Sequence, residues 1–161
     1  MPHIAYFCNL VFNLSTMQTV KYLATLALIC FLYSGSVAQN ADVYIMTGNA
    51  KEYLGDLNGA LVQYDLAVKD DSTYAMAYFN RAYVKRKLND YEGAIADYTS
   101  AITFKPGYQI AYHNRGIVYA LLGKNDNACA DWKTASDMGY PDAIKLFETY
   151  CTTKPDSLKK F

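Results

Sequence analysis

Residues 75–106 read AMAYFNRAYVKRKLNDYEGAIADYTSAITFKP, and the rest of the chain is organised around them. The stretch scans as two amphipathic helices joined by the polar turn Asn89-Asp90 and closed by Pro106. Small residues stand at Ala82, Ala94 and Ala101, with large aromatics at Tyr78 and Tyr98. One fixed shift, applied in either direction, restores the pattern. Tyr44, Tyr78 and Tyr112 fall in step, as do Gly48, Ala82 and Gly116. Ala60, Ala94 and Ala128 follow, then Tyr64, Tyr98 and Trp132, and last Ala67, Ala101 and Ala135. Antiparallel helices approach closely only where the contact positions carry little side chain, and aromatics one turn away fill the space beside the seam. Each hairpin keeps an uncovered apolar face, so it must stack on a neighbour, and about three units are needed for stability.

A 34-residue period with this alternation of small and aromatic stations resembles the tetratricopeptide repeat. The resemblance covers three units, 41–74, 75–108 and 109–142, plus a capping helix over 141–151. It implies an all-α fold, with helical hairpins stacked as a short right-handed α-solenoid within a domain spanning 39–152. The helices of unit one are expected from Ala41 to Leu54 and from Leu57 to Lys69, with Asp70 to Thr73 supplying the next turn and its N-caps. Unit three is expected to run from Gln109 to Leu122, turn at Gly123 to Asp126, and return from Asn127 to Met138. Pro141 suits the first position of the capping helix. The tail 153–161 is polar, contains Pro155, and is expected to fray.

The segment 1–38 reads differently. Lys21 is its one charged side chain, Tyr22 to Tyr33 is an unbroken apolar run, and Ser36 and Ala38 stand at the spacing of a signal-peptidase site. A basic start, a short apolar core and a small-residue exit predict a secretory signal peptide over 17–38. A spanning helix needs about 20 apolar residues, and this run is shorter. Residues 1–16 precede Met17 and are expected to be a non-native extension upstream of the true start. The alternative is an uncleaved anchor using the apolar segments 4–14 and 22–33, which would make the chain a membrane-tethered assembly subunit. Cys30 sits between Ile29 and Phe31 inside the apolar run, a poor context for lipid attachment. An exported protein, periplasmic or secreted, is the expectation.

The leader holds one of the 15 basic residues and none of the 15 acidic ones, so the remainder is close to neutral. Nucleic-acid binding wants a clustered basic excess and is not expected. Lys85, Arg86 and Lys87 are the one concentration of positive charge, and cations at a helix C-terminus are favoured by its dipole. Beyond the leader the chain has one histidine, His113, and two cysteines, Cys129 and Cys151. No metal-ligand, phosphate-loop or nucleophile-elbow motif is present. A Cys129–His113 thiol couple is the weakest alternative, since the two follow different seams. No catalytic, cofactor-binding or metal-binding residue is expected.

Arg81 and Arg115 stand where the family usually has leucine, and Asp97 and Asp131 lie at matching places on the second helices. In unit one the same places hold Thr47 and Gln63. Charges that come and go together predict one structural Arg–Asp ion pair inside each of units two and three.

The resemblance further implies that the first helix of each unit lines a concave groove for a peptide or protein partner. Its wall would include Ile45, Asn49, Tyr53, Met76, Phe79, Tyr83, Arg86, Ile110 and His113, with aromatic, Met and Arg side chains of the kind enriched at interface cores. One family subtype clamps a C-terminal carboxylate. Asn49 and Asn80 match its asparagines, but its lysine places hold Ile45 and Ile110 and its arginine place holds Asn114. An apolar-driven groove is expected instead.

Cys129 and Cys151 are predicted to form a disulfide. Export leads to an oxidising compartment, and loss of the leader removes Cys8 and Cys30. The corresponding stations earlier in the chain pair Leu61 with Tyr83 and Ile95 with Ile117, where a second helix meets the next first helix. Two buried free thiols are the alternative.

Overall fold

The computed structural model describes residues 40–152, all within the unit Gln39–Phe161. The expected extension 1–16, the leader 17–38 with Cys8 and Cys30, and the tail 153–161 lie outside the described residues. Within them the chain forms seven helices: α1 Ala41–Tyr53, α2 Leu57–Asp70, α3 Ala75–Lys87, α4 Tyr91–Phe104, α5 Gln109–Leu121, α6 Asn125–Asp137 and α7 Pro141–Tyr150. α1 packs on α2, α3 on α4 and α5 on α6, while α2 meets α3, α4 meets α5 and α6 meets α7. This is the stacked-hairpin architecture of a tetratricopeptide solenoid, with α7 as its cap.

The hairpin turns share one device. Gly55, Asn89 and Gly123 stand one period apart and take φ of 82°, 63° and 71°, the left-handed region that lets a helix stop and reverse. Asp56 and Asp90 then cap the returning helices, their Oδ1 atoms accepting from the backbone N–H of Gly59 and Gly93 at 2.8 and 3.0 Å. In unit three Lys124 takes the capping place and offers no side-chain acceptor. Even so, α6 begins at Asn125 rather than the expected Asn127. The spatial period of the stack overrides the polar composition of 123–126.

A second expectation is also corrected. No residue of 70–73 caps α3, whose N-cap is Tyr74 without a side-chain bond. Asp71 instead closes an Asx turn on Thr73, accepting from both its backbone N–H and its hydroxyl at 2.8 Å.

The seam between paired helices explains the small residues. Tyr64, Tyr98 and Trp132 are fully buried, and each fills the space that the small station opposite leaves. A Cβ on Gly48 would run into the Tyr64 ring, and one on Gly116 would stand 2.6 Å from Trp132 Nε1. Ala60, Ala67, Ala94, Ala101, Ala128 and Ala135 are likewise closed off from solvent. Burying an aromatic of this size stabilises by a few kcal/mol, so these three rings supply much of what holds the hairpins shut.

Candidate binding groove

Arg81 joins the two helices of unit two: its Nε and Nη2 donate to the carboxylate of Asp97 at 2.8 and 2.7 Å. Arg115 holds Asp131 in the same bidentate way, both bonds being 2.8 Å. Both aspartates are buried. A further arm of each guanidinium was not legible from the spacing. Nη1 of Arg81 reaches back to Asp65 in unit one, and Nη1 of Arg115 reaches back to the Thr99 hydroxyl in unit two. These arginines therefore tie units together as well as hairpins. In unit one the matching places hold the uncharged Thr47 and Gln63, and no such clasp is made there.

The concave face carries a cavity of about 380 Å³. Glu52 of α1, Phe79, Asn80 and Tyr83 of α3, Ile110, His113 and Asn114 of α5, and Tyr140 just ahead of α7 line it. Four of the nine expected wall residues are among them: Phe79, Tyr83, Ile110 and His113. Asn49 stands beside the cavity, its Oδ1 accepting from the Tyr64 hydroxyl at 2.8 Å and from Asn80 Nδ2 at 3.3 Å. Arg86 stacks its guanidinium over the Tyr83 ring at 5.0 Å.

The remaining three need correction. Ile45 is only 4% exposed and packs into the core with Ala41, Ala60, Tyr64, Ala77 and Val84. An isoleucine at that station is drawn into the α1–α3 contact rather than left as wall. Tyr53 is 92% exposed at the end of α1 and does not line the cavity. Nor does Met76, whose sulfur receives the Tyr74 hydroxyl at 3.9 Å.

Glu52, Asn80, Asn114 and Tyr140 are the lining residues missing from the expected wall. Glu52 lies one turn after Asn49, which is the signal that could have found it. Its carboxylate takes Lys87 Nζ at 2.8 Å, so the single acid of the cavity arrives already paired and holds the lysine ammonium above its usual value. His113 is 8% exposed and packs its ring, tilted by 57°, against Tyr140 with centroids 5.0 Å apart. Burial pushes its imidazole below the ordinary value, against a smaller opposing pull from Asp142, and its Nδ1 has no partner. The ring is neutral near pH 7. The cavity is thus aromatic and aliphatic at its sides, carboxamide at Asn80 and Asn114, and close to uncharged.

Cys129 of α6 and Cys151 after α7 place their sulfurs 2.03 Å apart, with Cα atoms 5.7 Å apart, which is disulfide geometry. The Cys129 sulfur is therefore committed to Cys151 and forms no couple with His113. Among the described residues no group of three or more His, Cys, Asp or Glu side chains comes together as a metal site.

A family model described as TPR repeat matches residues 82–123. The second TPR of Spaghetti (RPAP3), solved bound to the HSP90 peptide SRMEEVD, is 30% identical with a TM-score of 0.61, the match covering 62% of this chain and 93% of that one. The Arabidopsis OM64 TPR domain is 26% identical with a TM-score of 0.63, over 68% of this chain and 95% of that one. The first TPR of Spaghetti, at 24% identity and a TM-score of 0.65, shows likeness of fold alone, over 69% and 90% of the two chains. No curated protein matches the sequence.

Proposed function

We propose, from the premise that this chain belongs to the tetratricopeptide-repeat family, that it is a binding module holding a peptide or protein segment in its concave groove. The cavity walled by Phe79, Tyr83, Ile110 and His113 carries this reading, because it offers apolar surface with convergent carboxamides and little free charge. The Spaghetti structures hold the peptide SRMEEVD, rich in carboxylates. Here the stations of a carboxylate clamp hold Ile45, Ile110 and Asn114, which favours an uncharged partner segment. Capture of partners on the immobilised chain, repeated with Phe79→Ala/Tyr83→Ala, tests the reading. Partners retained equally by that variant, still folded by circular dichroism, would sink it.

The module acts outside the cytoplasm, as a scaffold or assembly component, after cleavage of its leader at Ala38. The apolar run Tyr22–Tyr33 followed by Ser34 to Ala38 supports this, as does a cysteine pair suited to an oxidising compartment. Among the described residues no helix is long and apolar enough to cross a membrane. A tether through the uncleaved apolar segments is the competing reading. Intact mass of the protein isolated from cells separates them, since a chain beginning at Gln39 excludes the tether.

A further inference from the structure

The concave stripe of α5 continues past His113 to Ile117, Ala120 and Leu121, one to two turns on. There it borders a second cavity of about 210 Å³, lined by Ile117, Ala120, Leu121, Trp132 and Leu146, with no polar surface in its wall. The repeat explains its origin. The stations of Ile117, Ala120 and Leu121 hold Asn49, Glu52 and Tyr53 in unit one and Tyr83, Arg86 and Lys87 in unit two. Where a long Glu52 or Arg86 stands, unit three has Ala120, and the room so vacated reaches down to the Trp132 indole. Leu146 of the capping helix closes the far side. Trp132 Nε1 is spent on the His113 carbonyl at 3.2 Å, so the indole presents only carbon to the space.

We propose that this pocket anchors one bulky apolar side chain, leucine- or phenylalanine-sized, of the peptide held in the groove. Its size suits one such group, since a dry apolar cavity of about 150 Å³ holds benzene. Its position suits a peptide rather than a free hydrocarbon. It continues the stripe that carries His113 and Asn114, one to two turns or about 5–10 Å away. An extended chain covers that span in two or three residues at about 3.3 Å each, with Asn80 and Asn114 beside its backbone. The inference rests on the reading of the concave face as the binding surface. It adds that the partner must carry an uncharged bulky residue at a fixed short spacing from the residue seated beside His113.

Trp132 is the sole tryptophan of the chain, so its fluorescence reports the floor of this pocket. The full chain is titrated with a capped alanine-based hexapeptide bearing one leucine, with its all-alanine counterpart, and with toluene. We expect the leucine peptide to bind at least about tenfold more tightly than the alanine peptide, as a few buried methylenes allow. Ala120→Leu, which fills the space from within, should abolish that preference while helicity is kept. Leu146→Phe fills it from the cap and serves if Ala120→Leu does not fold. Equal binding of the two peptides, a leucine preference that survives filling, or binding of toluene with neither peptide would overturn the proposal. If the leucine peptide fails here while captured partners still depend on Phe79 and Tyr83, this inference falls and the groove reading stands. If nothing captured depends on those residues, the groove reading falls first.

Discussion

Arg81 and Asp65 lie in different repeats, yet Nη1 of Arg81 donates to Asp65 Oδ1 at 2.8 Å while the rest of its guanidinium grips Asp97. One side chain thereby closes a hairpin and fastens it to its neighbour. The planar arginine fork allows this, because its separate N–H groups reach both carboxylates at once.

Removing one member of such a pair leaves a buried charge, the costly case. Arg115→Leu or Asp131→Leu alone should lose about 3–5 kcal/mol, and Arg115→Leu/Asp131→Leu together should lose less than either. Urea denaturation of the four proteins measures the coupling. Losses that simply add would show that the bidentate contact is not made in solution.

Gly116 sets two effects against each other. Alanine is the better helix former by about 1 kcal/mol. However, its Cβ would stand 2.6 Å from Trp132 Nε1 and 3.2 Å from the Ala128 carbonyl, and overpacking of that kind costs about 1–3 kcal/mol. Gly116→Ala should therefore destabilise on balance, by about 1 kcal/mol. Unit two carries alanine at this station, Ala82, opposite the smaller ring of Tyr98. A thermal melt no lower for Gly116→Ala than for the parent would refute the packing argument.

These two cases also show what could be read from sequence. The seam was legible because Gly48, Ala82 and Gly116 recur in one register with their aromatic partners, and sterics leave few choices there. The Arg–Asp pairs were legible because both members vanish together in unit one. The backward arms were not, since their acceptors, Asp65 and Thr99, are chemically unlike and mark no repeat. Ile45 was misplaced because a station number says which helix face a residue is on, not how far the next helix closes over it. Tyr140 escaped for a different reason. Tyr74 and Tyr108 precede α3 and α5 in register, but Tyr140 arrives ahead of the position that register would give, so the cap enters early and breaks the period.

His113 makes the protein sensitive to mild acid. Burial lowers its folded-state value below the ordinary 6.5. As pH falls through that window the unfolded chain takes up the proton first, and stability drops by at most about 1.4 kcal/mol per pH unit for one group. Stability should be level above pH 7 and decline from about pH 6.5 downward, with His113→Gln flattening the upper part of the decline. The same slope in parent and variant between pH 6.5 and 5.5 would assign the loss to other groups.

Partner affinity should depend only weakly on salt. Glu52 and Lys87 neutralise each other at the cavity, and Phe79, Tyr83 and Ile110 bind through contacts that ions do not screen. Affinity measured at low and at physiological ionic strength should differ by less than about threefold. A steep loss across that range would point to a charged ligand and against this groove chemistry.

The cap depends on Cys129 and Cys151. Among the described residues α6 is the main helix partner of α7, and Leu146 also faces Ile117 and Ala120 of α5 across the apolar cavity. The residues α7 covers, Trp132 of α6 and Ala120 of α5, pack with Leu146, Phe147 and Tyr150 of the cap. A crosslink between residues 22 apart removes chain entropy from the unfolded state and should stabilise by roughly 3 kcal/mol. Denatured, unreduced full-length chain should therefore titrate two free thiols, Cys8 and Cys30, and the form cleaved at Ala38 none. Reduction by a dithiol should lower the melting temperature and raise amide exchange first in α7, while α1 to α4 keep their protection. Four free thiols in the full-length chain, or two in the cleaved one, would mean that the bridge does not form in solution. In that case the cap is held by its apolar face alone.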